Sequence, residues 1–173
     1  NYKTDGVTIR NVSIFYYADG TKRANQADTE DALAMSETHK STIDGLLQSR
    51  TYYYTGFGKG DEIADYSLNY RTDGVAVRNT SYYYYERWID SNNNGVVDSG
   101  EVTEERASLS DIDDAMARSD TYKANHELDP TTILQSKTYY YTGFGKGDEI
   151  ADYSENYKTD GVTIRNVSIF YYA

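Results

Sequence analysis

The sequence predicts an α+β chain built as a linear repeat array, in which three-stranded antiparallel β-meanders each carry one short helix. Three observations lead there. Long stretches recur within the 173 residues. Tyrosine-rich runs bounded by Gly-rich and Asp-Gly turns read as strands and hairpins. Between those runs lie acid-led segments that read as helices.

The recurrence sets the frame, because a fixed internal period marks a repeat architecture. Residues 1–18 (NYKTDGVTIRNVSIFYYA) return unchanged as 156–173. Residues 51–67 (TYYYTGFGKGDEIADYS) return unchanged as 138–154, and a diverged copy of the first block (NYRTDGVAVRNTSYYYYE) occupies 69–86. The three copies of the block begin at Asn1, Asn69 and Asn156, so the full period is 155 residues. The chain divides into a short half-repeat (1–67), a long half-repeat (68–154) and the opening of the next unit (155–173). The long half carries about 15 extra residues between Glu86 and Thr103, and four more near Pro130.

Each element has its own signal. Thr51-Tyr52-Tyr53-Tyr54 reads as a strand, Gly56 to Asp61 as a glycine-rich turn, and Glu62 to Arg71 as a second strand. Asp73-Gly74 marks a hairpin, with a third strand from Val75 to about Tyr85. Val7 and Ile9 share one face while Val12 and Ile14 share the other, so either a bulge sits near Arg10-Asn11 or both faces are covered. The helices are expected from Asp28 or Thr29 to about Lys40, and from Ser110 or Asp111 to about Lys123, with early acids and a late Lys suiting the helix dipole. Neither has a broad apolar stripe.

Composition excludes several functions. Seventeen cationic against 28 acidic residues give a net charge of -11, the wrong sign for nucleic acid or anionic lipid. Without cysteine there is no disulfide framework and no thiolate chemistry. No apolar run approaches the roughly 18 residues of a membrane span, so membrane insertion is not expected. The first residue is not Met, which reads as a processed or excised piece. Twenty tyrosines, against four Phe and one Trp, suit strands with many half-exposed faces.

The sharpest chemical motif is Asp90-Ser91-Asn92-Asn93-Asn94-Gly95-Val96-Val97-Asp98-Ser99-Gly100-Glu101. It resembles the calcium loop of the EF-hand family at every diagnostic position. The resemblance implies Ca2+ held by Asp90, Asn92, Asn94, the Val96 carbonyl, Asp98 and a bidentate Glu101, with Gly95 at the sharp turn. Tyr85-Glu86-Arg87-Trp88-Ile89 before it is more strand than helix, and no second loop pairs with it, so the loop suits a staple rather than a sensor. Three acids among the ligands imply weak, extracellular-type affinity.

Asn-x-Ser/Thr occurs three times, at Asn11, Asn79 and Asn166, all at one repeat position, and marks these as candidate N-glycosylation sites. The tyrosine runs read first as cross-strand packing and second as a platform for sugar rings. Gly56-Phe57-Gly58-Lys59-Gly60 lacks the Lys-Ser/Thr ending of a phosphate loop and reads as a turn. His39 and His126 do not occupy matching repeat positions, and no catalytic constellation is evident, so an enzyme is not expected.

Near-identical repeats and tyrosine richness resemble the large repetitive surface and fibril proteins of environmental microbes. The expectation is a structural segment of an extracellular or cell-surface tandem-repeat filament, calcium-stapled and N-glycosylated, whose partners are identical neighbouring repeat units and covalent glycans. The join between units is expected within one long chain rather than head-to-tail between chains. The alternative is an adhesin module that binds polysaccharide on repeated tyrosine faces.

Overall fold

The structure, a computed structural model, describes residues 1–172. It overturns the α+β expectation. Ten antiparallel strands form one sheet, and among the described residues the only helical segment is a three-residue 3-10 turn, Ala107–Leu109. The strands are β1 (Asn11–Tyr17), β2 (Leu33–Lys40), β3 (Leu47–Tyr54), β4 (Ile63–Tyr70), β5 (Val77–Trp88), β6 (Val102–Arg106), β7 (Met116–Lys123), β8 (Leu134–Tyr141), β9 (Ile150–Tyr157) and β10 (Ile164–Ile169). The order follows the chain from β1 to β10, except that β6 pairs with β5 and stands off the path.

The segments expected as helices are β2 and β7. The local signal there was real but led elsewhere. Asp28 N donates to the Asp31 carboxylate at 2.8 Å, one half of the capping box of a helix start, while Asp31 N donates to the Asp28 backbone carbonyl at 3.2 Å, closing a turn. Asp111 and Asp114 repeat it at 2.6 and 3.2 Å. In both places the turn opens into a strand. Leu33 N is taken by the Glu62 carboxylate (2.7 Å) and Met116 N by Glu149 (2.8 Å), which pins each strand's start to the turn before β4 or β9. Beyond it, Met35, Glu37 and His39 alternate with Ser36 and Thr38, a period of two that serves a ladder. The absence of an apolar stripe then follows, since no helix was there to present one.

The Asp-Gly hairpin appears in all three copies. Asp5, Asp73 and Asp160 each accept from the backbone N–H groups two and three residues on, at 2.8–3.0 Å. Gly6, Gly74 and Gly161 take φ of 68°, 70° and 69°, which a side chain resists. A bulge lies at Arg165, where the β9–β10 register skips from Ile164 to Asn166, at the repeat position of Arg10.

Two compact units divide the chain, residues 1–81 with 123–132, and residues 82–122 with 133–172. In the first, Ile14, Ile63 and Leu68 are buried, with Ser67, Glu37 and Thr80 among them. In the second, Tyr82, Tyr85, Ala107, Ala115 and Ala117 are buried together with Asp120 and Ser154. With so few large apolar residues inside, cross-strand pairs carry much of the cohesion. Tyr52 stacks on Tyr66 with centroids 4.6 Å apart, and Thr51 Oγ1 meets Ser67 Oγ at 2.7 Å. Tyr139–Tyr153 and Thr138–Ser154 repeat both at 4.6 and 2.7 Å. An aromatic pair of this kind contributes about 0.5–1.5 kcal/mol beyond its area.

Candidate functional site

The EF-hand-like loop sits at the tip of a β-hairpin. β5 leads in, β6 leads out, and the ladder runs from Tyr84↔Arg106 to Trp88↔Val102, closed by Ile89 N donating to Glu101 O at 2.9 Å. The short half has the same hairpin in miniature. There Tyr17 bridges Lys22 across the residues Ala18 to Thr21, and Tyr17 and Lys22 are the repeat counterparts of Tyr85 and Glu105. The insertion therefore lengthens one hairpin and leaves its base in place.

Within the loop, Asp90 accepts from Asn94 N (3.1 Å) and Gly95 N (2.9 Å). Asn92 Oδ1 accepts from Asn94 N at 3.0 Å, and Asn94 Oδ1 from Val96 N at 2.7 Å. The Asp98 carboxylate accepts from the side-chain amides of Asn92 and Asn94, both at 2.8 Å, and these two bonds hold its pKa below the ordinary value. Glu101 is buried beneath. It accepts from Ser91 Oγ (2.8 Å), Ser91 N (3.0 Å), Asp98 N (3.1 Å) and Trp88 Nε1 (3.4 Å). The Ser91 hydroxyl is the main reason its pKa is lowered.

Four of the expected ligand residues, Asp90, Asn92, Asn94 and Asp98, are thus linked into one hydrogen-bonded ring of side chains and backbone. Glu101 is drawn to the loop's base, and among the described residues no three acidic or imidazole groups converge as a ready-made metal cluster. The donor set is still chemically apt. Every donor is an oxygen, three are carboxylates, and Gly95 (φ 73°) has open space where a side chain would stand.

The candidate glycan acceptors differ. Asn166 is exposed. Asn11 is half-buried, and its Oδ1 accepts from Asn1 Nδ2 at 2.7 Å. Asn79 is half-buried, with Oδ1 enclosed and unpartnered. The tyrosine runs pack across strands as described, and the repeated glycine turns set Phe57 against Tyr54 and Phe144 against Tyr141, edge to face at 5.1 Å in both.

Sequence reasoning missed a buried ionic cluster. Glu37 accepts from Arg50 through both Nε (2.9 Å) and Nη2, from His39 Nε2 (3.0 Å) and from Tyr16 OH (3.1 Å). Burial alone would raise its pKa, but hydrogen bonds from His39 and Arg50 hold it below the ordinary value. The counterpart in the long half is weaker. Asp120 lies 3.0 Å from Arg118 Nε, yet neither atom is aligned for a hydrogen bond. Burial raises the Asp120 pKa, and Arg118 only partly offsets it. The signal lay in the repeat alignment, where Glu37 matches Asp120 and Arg50 matches Lys137, but the register that joins β2 to β3 does not show in a linear reading.

Among the described residues no helix is long and apolar enough to cross a membrane. No protein-family model matches the chain, and neither a curated protein nor a solved structure matches it.

Proposed function

We propose that this chain is a segment of an extracellular tandem-repeat filament whose sheet passes from one repeat unit into the next without a break. One observation carries the reading. The repeated strand occurs three times, and each copy keeps different neighbours. β5 stands between β4 and β7 in the sheet order. β1 keeps only the following neighbour, β2, and β10 only the preceding one, β9. Since β1 and β10 share one sequence, a single strand carrying both sets of bonds would have β9 on one side and β2 on the other. Adjacent repeats would then remove each other's open edges.

The hairpin bases agree with this reading. Tyr2 bridges Ile9, as Tyr157 pairs with Ile164, and Asn1 bonds to Asn11, as Asn156 pairs with Asn166. Electron microscopy of the native material tests it: unbranched filaments support the reading, and monodisperse particles retained on a glycan array would favour the adhesin instead. The exposed Tyr141 and Phe144 at a repeated turn are the observation behind that second reading.

Calcium belongs to the same proposal. Asp90, Asn92, Asn94, the Val96 carbonyl, Asp98 and Glu101 would hold it, and the ion would neutralise three acids and tie the β5–β6 hairpin. N-glycans at Asn11, Asn79 and Asn166 complete it. Asn166 is open to modification as it stands, whereas the half-buried Asn11 and Asn79 would be modified before their strands close.

A further inference from the structure

We propose that a cavity of about 320 Å³ in the first unit, ringed by Lys40, Arg71 and Arg78, binds a compact oxyanion, either free or as the acidic group of a polysaccharide. Gln48, Thr72 and Tyr70 also line it, so neutral hydrogen-bonding groups and an aromatic ring stand beside the cations.

The charge pattern is the first argument. In a chain of net charge -11, eight of the 17 cations are held by protein partners. Lys22 pairs with Asp28 and Asp31, Arg50 with Glu37, Arg87 with Asp111 and Arg118 with Glu104. Lys59 and Lys146 are held by backbone carbonyls, and Arg23 and Arg106 lie over tyrosine rings. Lys40, Arg71 and Arg78 are exposed, and among the described residues their side chains have neither an ion pair nor a hydrogen bond. Asp73, the nearest acid to Arg71 in sequence, is occupied by Val75 N and Ala76 N of its own turn. Of the three, only Arg71 feels an acid, the more distant charge of Asp73. Three cations around one cavity repel one another, and an anion between them relieves that repulsion. The arginine fork matches the oxygens of phosphate, sulfate or carboxylate in pairs.

The repeat supplies the second argument. Lys40, Gln48, Tyr70, Arg71, Thr72 and Arg78 recur in sequence as Lys123, Gln135, Tyr157, Lys158, Thr159 and Arg165. Every charge survives. The buried cluster keeps its carboxylate and its cation in the same conservative way, as Asp120 and Lys137, and loses His39 to Tyr122. Packing does not require exposed cations to be kept, whereas anion recognition does.

The test is a titration of isotope-labelled protein with sodium sulfate and sodium phosphate at a constant ionic strength of about 0.15 M, where diffuse surface attraction is screened. Saturable amide shifts confined to the neighbourhood of Lys40, Gln48 and Thr72 are expected. The double variant Arg71→Gln/Arg78→Gln should bind at least tenfold more weakly, Arg78→Lys should keep most of the affinity, and Lys59→Gln should bind as the parent does. Dextran sulfate, with neutral dextran as control, separates the sources. Binding more than tenfold tighter than free sulfate assigns the site to a polysaccharide, and equal binding assigns it to the free ion. Shifts that never saturate, or a double variant indistinguishable from the parent with its amide spectrum intact, overturn the proposal.

Discussion

The same seven residues, Asn-Val-Ser-Ile-Phe-Tyr-Tyr, occupy 11–17 and 166–172, and the two copies do not end up alike. Ile14 is 4 % exposed, and its counterpart Ile169 is 58 % exposed. β1 runs on through Tyr17, whereas β10 stops at Ile169, the counterpart of Ile14. The local sequence is constant, so the difference comes from a non-local partner. β1 has β2 beside it, whereas β10 pairs with β9 alone among the described residues. The diverged copy in β5 goes further, with Tyr82 and Tyr85 both at or below 5 % exposed between β4 and β7. Strand propensity permits these residues to extend, and neighbours decide how much they bury.

The largest expected effect uses that contrast directly. Ile14→Ala should cost about 2–4 kcal/mol in denaturant unfolding. Ile169→Ala, at the same repeat position, should stay within about 0.5 kcal/mol. Equal costs would break the comparison.

A second pair of counterparts differs in sign. Glu37 has its pKa lowered from an ordinary 4.5, so its contribution to stability is complete above that value and is lost as pH falls through the folded-state value. Asp120 has its pKa raised from an ordinary 3.8, so folding disfavours its charge, and the cost is absent below 3.8 and grows as pH rises through the folded-state value. Glu37→Gln should therefore lose about 1.5–3 kcal/mol at neutral pH and flatten the acid limb of the stability curve. Asp120→Asn should raise the neutral-pH melting temperature, because Arg118 retains Glu104 at 2.8 Å. Melting curves from pH 3 to 8 check both.

The insertion distinguishes the halves again. Glu101→Gln should weaken the β5–β6 hairpin and reduce calcium-dependent stabilisation, with no effect on the short hairpin at Tyr17–Lys22. Chelation that leaves the melt unchanged, against a calcium-saturated control, removes the staple. The smallest effect is one on which the halves should agree: Tyr66→Leu and Tyr153→Leu each lose one 4.6 Å stack, at about 0.5–1.5 kcal/mol.

What the sequence disclosed follows the same division between local and non-local. The Asp-Gly hairpins were legible, and the turn at 90–101 folds locally, because their hydrogen bonds close within a few residues, as Asp73 to Ala76 and Asp90 to Gly95 show. The strand at 33–40 was misread because the Asp28–Asp31 turn is common to helix starts and strand starts, and the deciding bond, Leu33 N to Glu62, spans 29 residues. The Glu37–Arg50 cluster was invisible for a like reason, since it exists only in the β2–β3 register.

The central claim, that the repeated strand is completed by the next unit, has one direct measurement. The chain can be extended past residue 173 by the residues that follow its first copy, 19–155, and hydrogen exchange compared at 11–17 and 166–172. The account predicts that amides of 166–172 exchange faster than those of 11–17 in the present chain and, in the extended chain, become as protected as those of 11–17 or more so, since the strand then has both neighbours. If 166–172 still exchange rapidly in the extended chain while 11–17 remain protected, the sheet does not pass between units and the filament reading is contradicted.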